Sequence, residues 1–200
     1  MAEARDEFTI ITTFNCNWDC SYCIIDTHER NKKNPISKEM LLEKIYNVTE
    51  GATVSLSGGE PGLIDPKTME KVFEHLVKLN CTIDVFTNGL FIKRYGDKYL
   101  QYIDEVLYHC VETLDQEIEF PDMDEEQVTY VIIVTNDNHH MVDDFLDKYP
   151  HISFKLACNM KHGQTLNRGD AFKLFMRNKK RISEDSFETL FRYHCDCNLV

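Results

Sequence analysis

The residues best equipped for chemistry lie in one short stretch, FNCNWDCSYC at positions 14–23, which carries Cys16, Cys20 and Cys23. Thiolates spaced Cys-x3-Cys-x2-Cys can converge on one soft metal centre, either zinc or an iron–sulfur cluster. A closed structural site takes four protein ligands, whereas three leave one coordination position open, as in a catalytic metal site. Zinc is the plain alternative: Cys20-x2-Cys23-x4-His28 begins like a zinc knuckle, and a Cys3His site using His28 is conceivable. Lys33, however, stands where the knuckle's closing cysteine belongs, and Cys16 is left over. On a cubane four-iron cluster the open corner is reserved for a substrate or cofactor that chelates iron.

Other segments carry residues suited to holding a ligand. In Ser57-Gly58-Gly59-Glu60-Pro61 the glycines allow close approach of the chain to a ligand, and the carboxylate can accept charge-assisted bonds from an ammonium. The same stretch also reads as a tight turn before a capped helix. Thr87-Asn88-Gly89, Thr113-Leu114-Asp115 and the TNDN run at 135–138 are shorter signals, and Asn88 and Asn136 equally suit closing their own turns.

These segments need a frame that gathers them. Apolar, β-branched-rich runs begin near Phe8, Thr53, Thr82, Glu105, Gln127 and Ile152, with helical periodicity in most of the gaps. Asp65 and Pro66 open a helix with Met69, Val72, Phe73, Leu76 and Val77 on one face. Ser37 opens another, whose inward stripe is Leu41, Leu42, Ile45 and Tyr46; a shorter one spans His139 to Lys148. Ser183 is expected to cap a last helix with Phe187, Leu190 and Phe191 inward. Strands alternating with helices predict an α/β fold with a parallel sheet, and six strands predict a partial (β/α)6 barrel with outer helices. The chemically suited segments all follow strands, where α/β architectures collect their chemistry.

Composition excludes several classes. With 200 residues, 42% hydrophobic and 28% charged, the chain has the make-up of one globular domain, residues 1–200, its barrel at about 8–157 and a helical extension at about 165–200. No apolar run is long enough to span a bilayer, and MAEARDEF lacks the apolar core of a secretory leader, so a cytoplasmic location is expected. The net charge of −12, from 22 Lys+Arg against 34 Asp+Glu, opposes broad nucleic-acid binding. The cationic run Arg168, Lys173, Arg177, Lys179, Lys180 and Arg181 is read as a solvated helix and loop, or else as a face for an anionic partner. Eight cysteines in a reducing compartment favour metal or catalysis over disulfides, with Cys81 and Cys110 expected as small buried hydrophobes.

CNWDCSYC resembles the CxxxCxΦC signature of the radical S-adenosylmethionine (radical SAM) enzymes, Tyr22 being the aromatic residue before the third cysteine. Gly58-Gly59-Glu60-Pro61 is similar to that family's GGEP loop, Thr87-Asn88-Gly89 to its TNG turn, and Thr113-Leu114-Asp115 to its SLD element. The resemblance covers residues 8 to about 157. It implies a [4Fe-4S] cluster on Cys16, Cys20 and Cys23, with S-adenosylmethionine (AdoMet) bound at the open iron and cleaved by one electron to a 5′-deoxyadenosyl radical. It further implies that Gly58, Gly59, Glu60 and Pro61 hold the methionine ammonium and that Thr87 and Asn88 lie near the cofactor. Thr113 would face the methionine or ribose, Asn136 would approach the ribose, and Tyr22 would offer its backbone carbonyl to the adenine while its ring packs. A one-electron reductant of the flavodoxin or ferredoxin type is implied as partner.

The substrate is less determined, because one fold serves many reactions. ETLD and the VIIVTNDN strand are closer to the branch that modifies peptides and proteins, so a peptide or small metabolite is expected. The short length is similar to 7-carboxy-7-deazaguanine synthase, although Asp26-Thr27 come two residues later than that enzyme's magnesium-binding pair. Cys158, at a strand end, is a candidate hydrogen donor and otherwise a buried filler. With Cys195 and Cys197 it could ligate a second metal, and Lys155 and Lys161 could bind an anionic substrate group. The competing class is a non-enzymatic zinc-binding regulatory module.

Overall fold

Runs of alternating hydrophobicity and capped amphipathic runs follow one another along the chain, and each takes the form its period dictates. The computed structural model describes residues 5–23, 36–158 and 164–195, without the side chains of residues 158 and 191–195. The strands are β1 (Glu7–Thr13), β2 (Thr53–Gly58), β3 (Thr82–Thr87), β4 (Glu105–His109), β5 (Val128–Val134) and β6 (Phe154–Cys158). They form one open sheet in sequential order, β1-β2-β3-β4-β5-β6. Helices fill most of the intervals between these parallel neighbours: α1 (Lys38–Tyr46), α2 (Pro66–Lys78), α3 (Leu90–Tyr99) and α4 (Val142–Lys148), while β4 connects to β5 through a loop with a 3-10 turn, Glu125–Gln127, and α5 (Arg168–Asn178) and α6 (Ser186–Cys195) follow β6. The α/β class and the six parallel strands expected from the sequence are both present.

The chain divides into two compact units: Met1–Trp18, Ile25–Tyr108 and Pro121–Val128 make the first, and Asp19–Ile24, His109–Phe120 and Thr129–Val200 the second. In the first unit, parallel pairing places Glu7 opposite Thr53 and Thr53 opposite Thr82, then Thr9, Ser55, Asp84 and Glu105 in the next row. The residues between them, Ile10, Val54, Leu56, Ile83, Val85 and Val106, are buried on the opposite face, as the two-residue period of a strand requires. Ser37 caps α1 by accepting from the Met40 N–H at 3.2 Å, and Asp65 caps α2 from Thr68 at 3.0 Å. Leu41, Leu42 and Ile45 of α1 and Met69, Val72, Phe73 and Leu76 of α2 are buried as their spacing predicts.

Two expected core residues are corrected. Tyr46 is 53% exposed, its ring set edge-on against His75, and Val77 is 36% exposed. Each follows directly after a buried residue, about 100° further round the helix, and falls at the stripe's edge. Helix α3 was not singled out by its sequence. Its inward face consists of Phe91, Tyr95 and Tyr99 at four-residue spacing, with Tyr99 stacked on Phe73 at 4.2 Å, so aromatics perform the packing that aliphatics do in α1.

In the second unit β5 and β6 pair from Tyr130↔Phe154 to Val134↔Cys158, and Val142, Phe145 and Leu146 of α4 are buried. The helix expected at 139–148 begins as a 3-10 turn, His139–Met141, before α4. α6 starts at Ser186 rather than just after Ser183, and its expected inward Phe187 is 43% exposed. The reason lies at the sheet edge. Ser186 is fully buried because its hydroxyl accepts from the Leu156 N–H at 2.9 Å, while the Ser183 N–H donates to the Phe154 carbonyl at 2.9 Å. The 183–186 segment thereby covers the outer edge of β6, which would otherwise offer unpaired groups to another strand.

Lys155 pairs with Asp185 at 2.6 Å, which removes it as a free anion-binding cation. Lys173, Arg177 and Arg181 likewise face Asp170, Asp143 and Asp147 at 3.2, 3.0 and 2.8 Å, so half of the cationic run is neutralised within the chain. Cys110 is buried, as expected, and burial pushes its thiol up to about 12. Cys81 is only half-buried and lies 3.8 Å from the Thr49 carbonyl. No helix among the described residues is long and apolar enough to cross a membrane.

Candidate functional site

In the first unit the ends of β1, β2 and β3 are tied together around one carboxylate. β1 slips its register between Ile11 and Thr13, so that Thr13 opposes Gly58. The Gly59 N–H then donates to the Thr13 carbonyl at 2.7 Å, and the Glu60 N–H to the Asn15 carbonyl at 2.8 Å. A Cβ on Gly58, which has φ +127°, would strike the Thr13 carbonyl oxygen, and one on Gly59 would strike that of Asn15. The two glycines are therefore needed for close approach of one chain segment to another. Their main chain, half-buried, is the part of the turn that a ligand can reach.

Glu60 is fully buried. Its Oε1 accepts from Gly62 N at 2.8 Å, Thr87 Oγ1 at 2.8 Å and Phe91 N at 3.0 Å, and its Oε2 accepts from Asn88 N at 2.8 Å. Burial raises the carboxyl above its ordinary range, and these donors pull it back. Its two oxygens serve donors of the protein interior. Thr87 is 4% exposed, and its Oγ1 accepts from the N–H of Gly89 at 3.0 Å, so it too is internal. Pro61, itself buried, begins a 3-10 turn, Pro61–Leu63, directly after Glu60. Asn88 turns its side-chain amide back to the cysteine loop, 3.6 Å from Cys16 Sγ. This unit thus gathers Cys16, Gly58, Gly59, Glu60, Pro61, Thr87 and Asn88.

The second unit holds the rest of the loop. Cys20 and Cys23 flank a tight turn in which the Cys23 N–H donates to the Cys20 carbonyl at 3.0 Å. The Tyr22 ring is buried, and its hydroxyl donates to the Glu112 carbonyl at 2.7 Å and lies 3.0 Å from His109 Nε2. Burial raises the Tyr22 phenol and lowers His109 to about 4, which leaves a neutral imidazole beside a neutral phenol near pH 7. Glu112 also accepts from the Asp19 N–H at 3.0 Å. Thr113 is exposed, and Gln116 Oε1 holds its N–H at 3.3 Å and that of Glu112 at 2.9 Å. Asn136 is exposed; its N–H donates to the Gln164 carbonyl, and the Gln164 amide reaches the Ser21 carbonyl at 3.4 Å.

Asn17, His109 and Gln116 were not legible as site residues, since an Asn, His or Gln in a loop or strand end announces no partner. Cys158 ends β6, and its side chain lies outside the described residues, as does that of Cys195. His28, Asp26, Thr27, Lys161 and Cys197 lie outside them altogether.

Among the described residues no group of three or more His, Cys, Asp or Glu side chains stands in position to hold a metal ion. The chemistry of the donor set nevertheless fits a thiolate-bound cluster. Cys16 Sγ accepts from the Trp18 N–H at 3.4 Å as well as from Asn88 at 3.6 Å, and N–H donors aimed at sulfur favour the thiolate form that ligates metal.

The sequence model of the Radical SAM superfamily matches residues 10–148. The chain belongs to the radical SAM superfamily. Membership implies an AdoMet-dependent enzyme and a [4Fe-4S] cluster. Among solved structures, native anSMEcpe with bound AdoMet is similar at 15% identity and TM-score 0.61, over 88% of this chain and 60% of that one. Polyhistidine-tagged anSMEcpe with bound AdoMet gives 14% and 0.57 over 90% and 63%, and native anSMEcpe with bound AdoMet and Cp18Cys peptide gives 16% and 0.57 over 88% and 59%. Identities this low show the fold alone, the partial radical SAM barrel expected from the sequence. The radical SAM chain spans about three fifths of the length of these neighbours. No curated protein matches it.

Proposed function

We propose that this radical SAM protein holds a [4Fe-4S] cluster on Cys16, Cys20 and Cys23 and cleaves AdoMet reductively, using the resulting 5′-deoxyadenosyl radical to take hydrogen from a substrate. The observation that carries the reading is the family match over residues 10–148, which encloses all three cysteines and the GGEP turn. When bound, the cluster supplies the coordination position for the AdoMet amino and carboxylate groups and the electron that breaks the sulfonium bond.

The chain's own residues do the rest. The Gly58 and Gly59 main chain takes the methionine ammonium, and buried Glu60 acts behind it, fixing the turn and the start of α3 through its four N–H and O–H donors. Pro61 and Thr87 hold that turn from inside. The Tyr22 hydroxyl bond to Glu112 fixes the loop between Cys20 and Cys23, leaving the Tyr22 carbonyl for the adenine, while Thr113 and Asn136 are exposed for methionine or ribose contact.

A peptide, protein or small metabolite is the proposed substrate. The ETLD and VIIVTNDN segments support the peptide reading, and one structure of the same fold was solved with a Cp18Cys peptide. The proposed electron donor is of the flavodoxin or ferredoxin type, and the proposed location is the cytoplasm. Changing Cys20→Ala is expected to abolish 5′-deoxyadenosine formation under dithionite in the anaerobically reconstituted protein. Undiminished formation in that variant refutes the ligand assignment, and stoichiometric zinc without iron or sulfide in the parent protein would establish the zinc module instead.

A further inference from the structure

The side-chain amide of Asn88 is fixed by three bonds with distinct demands. Its Oδ1 accepts from the Leu90 N–H at 3.4 Å, which turns the NH2 group toward the cysteine loop. Of the two protons on Nδ2, one goes to Asn17 Oδ1 at 2.9 Å and the other to Cys16 Sγ at 3.6 Å. The backbone behind it is fixed as well, because the Asn88 N–H donates to the fully buried Glu60 carboxylate at 2.8 Å. A side chain held at both ends and pointed at a cysteine sulfur is more than a turn closing on itself.

We propose that Asn88 is a positioning residue for the cluster, donating an N–H···S bond to Cys16 that sets how readily the bound cluster accepts an electron. The proposal rests on the cluster reading above and adds a role to it. An N–H donor draws charge from a ligating sulfur, and the reduced cluster, which carries one more negative charge, gains more from that bond than the oxidised one. The Trp18 N–H at 3.4 Å acts in the same sense, whereas Asn88 donates from a side chain that substitution can remove.

The test is a potentiometric titration, followed by electron paramagnetic resonance, of the reconstituted full chain against Asn88→Leu and Asn88→Asp. Leucine keeps the size and removes the donor; aspartate keeps the acceptor for Leu90 and puts an anion beside the sulfur. With iron and sulfide content matching the parent, the reduction equilibrium constant is expected to fall about threefold to tenfold in Asn88→Leu, a tenfold fall being about 59 mV for one electron. It should fall further in Asn88→Asp. Loaded variants with the parent potential overturn the proposal and leave the family chemistry intact, as do variants that lose iron while the loaded fraction keeps that potential. Parent protein that takes up no iron overturns the proposed function, and this proposal with it.

Discussion

Glu60 concentrates the site's energetics in one side chain. A carboxylate with no exposure carries a large desolvation cost, which its donors, the N–H groups of Gly62, Asn88 and Phe91 and the Thr87 hydroxyl, offset. Glu60→Gln places an NH2 group where donors already point and leaves at least one of them unsatisfied. It should lower unfolding stability by about 2 kcal/mol or more, read as a lower denaturant midpoint at unchanged slope. An unchanged midpoint would show that the carboxylate is not the internal hub described here. The sequence made Glu60 visible as a residue but not its internal partners. GGEP states that an acid follows two glycines; that the acid turns inward to Thr87 and Phe91, 27 and 31 positions away, depends on how β2, β3 and α3 pack.

At the scale of elements, strands and caps were legible because their signals are local. Asp65-Pro66 and Ser37 cap where they were expected to, and Asp65→Ala should cost about 1 kcal/mol through loss of the bond to Thr68. Tyr46, Val77 and Phe187 were misplaced because a residue at the edge of an apolar stripe is assigned by its tertiary neighbours and not by its spacing. β3 carries a conflict that no period reveals. Asp84 stands in mid-strand opposite Glu105, and burial, with the charges of Glu105 and Asp104, pushes its carboxyl up to about 6 from an ordinary 3.8. Between those values the folded chain binds more protons than the unfolded one, so stability falls as pH rises through that window. Asp84→Asn should therefore raise the melting temperature at pH 7 and lose that advantage below about pH 4. The gain should stay under about 1 kcal/mol once solvent screening of this half-exposed group is counted. An equal gain at both pH values would trace the effect to something other than charge.

At the scale of the molecule, the alternation of strands and helices made the α/β sheet readable, while its division into two compact units was not. Asp19–Ile24 and His109–Phe120 belong with the C-terminal elements through bonds such as the Gln164 amide to the Ser21 carbonyl and the Ile118 N–H to the Tyr149 hydroxyl, and nothing in their composition announces that allegiance. The cysteine motif is divided accordingly, Cys16 in the first unit and Cys20 and Cys23 in the second. The reading as a radical SAM enzyme requires the three thiolates to serve one cluster with an open position. The most direct test is to reconstitute the full chain anaerobically with iron and sulfide, add AdoMet and dithionite, and quantify 5′-deoxyadenosine by mass spectrometry. The expected result is a brown protein absorbing near ~400 nm, with about four irons per chain, that releases methionine and 5′-deoxyadenosine. An iron-loaded protein that leaves AdoMet intact under reduction would contradict it.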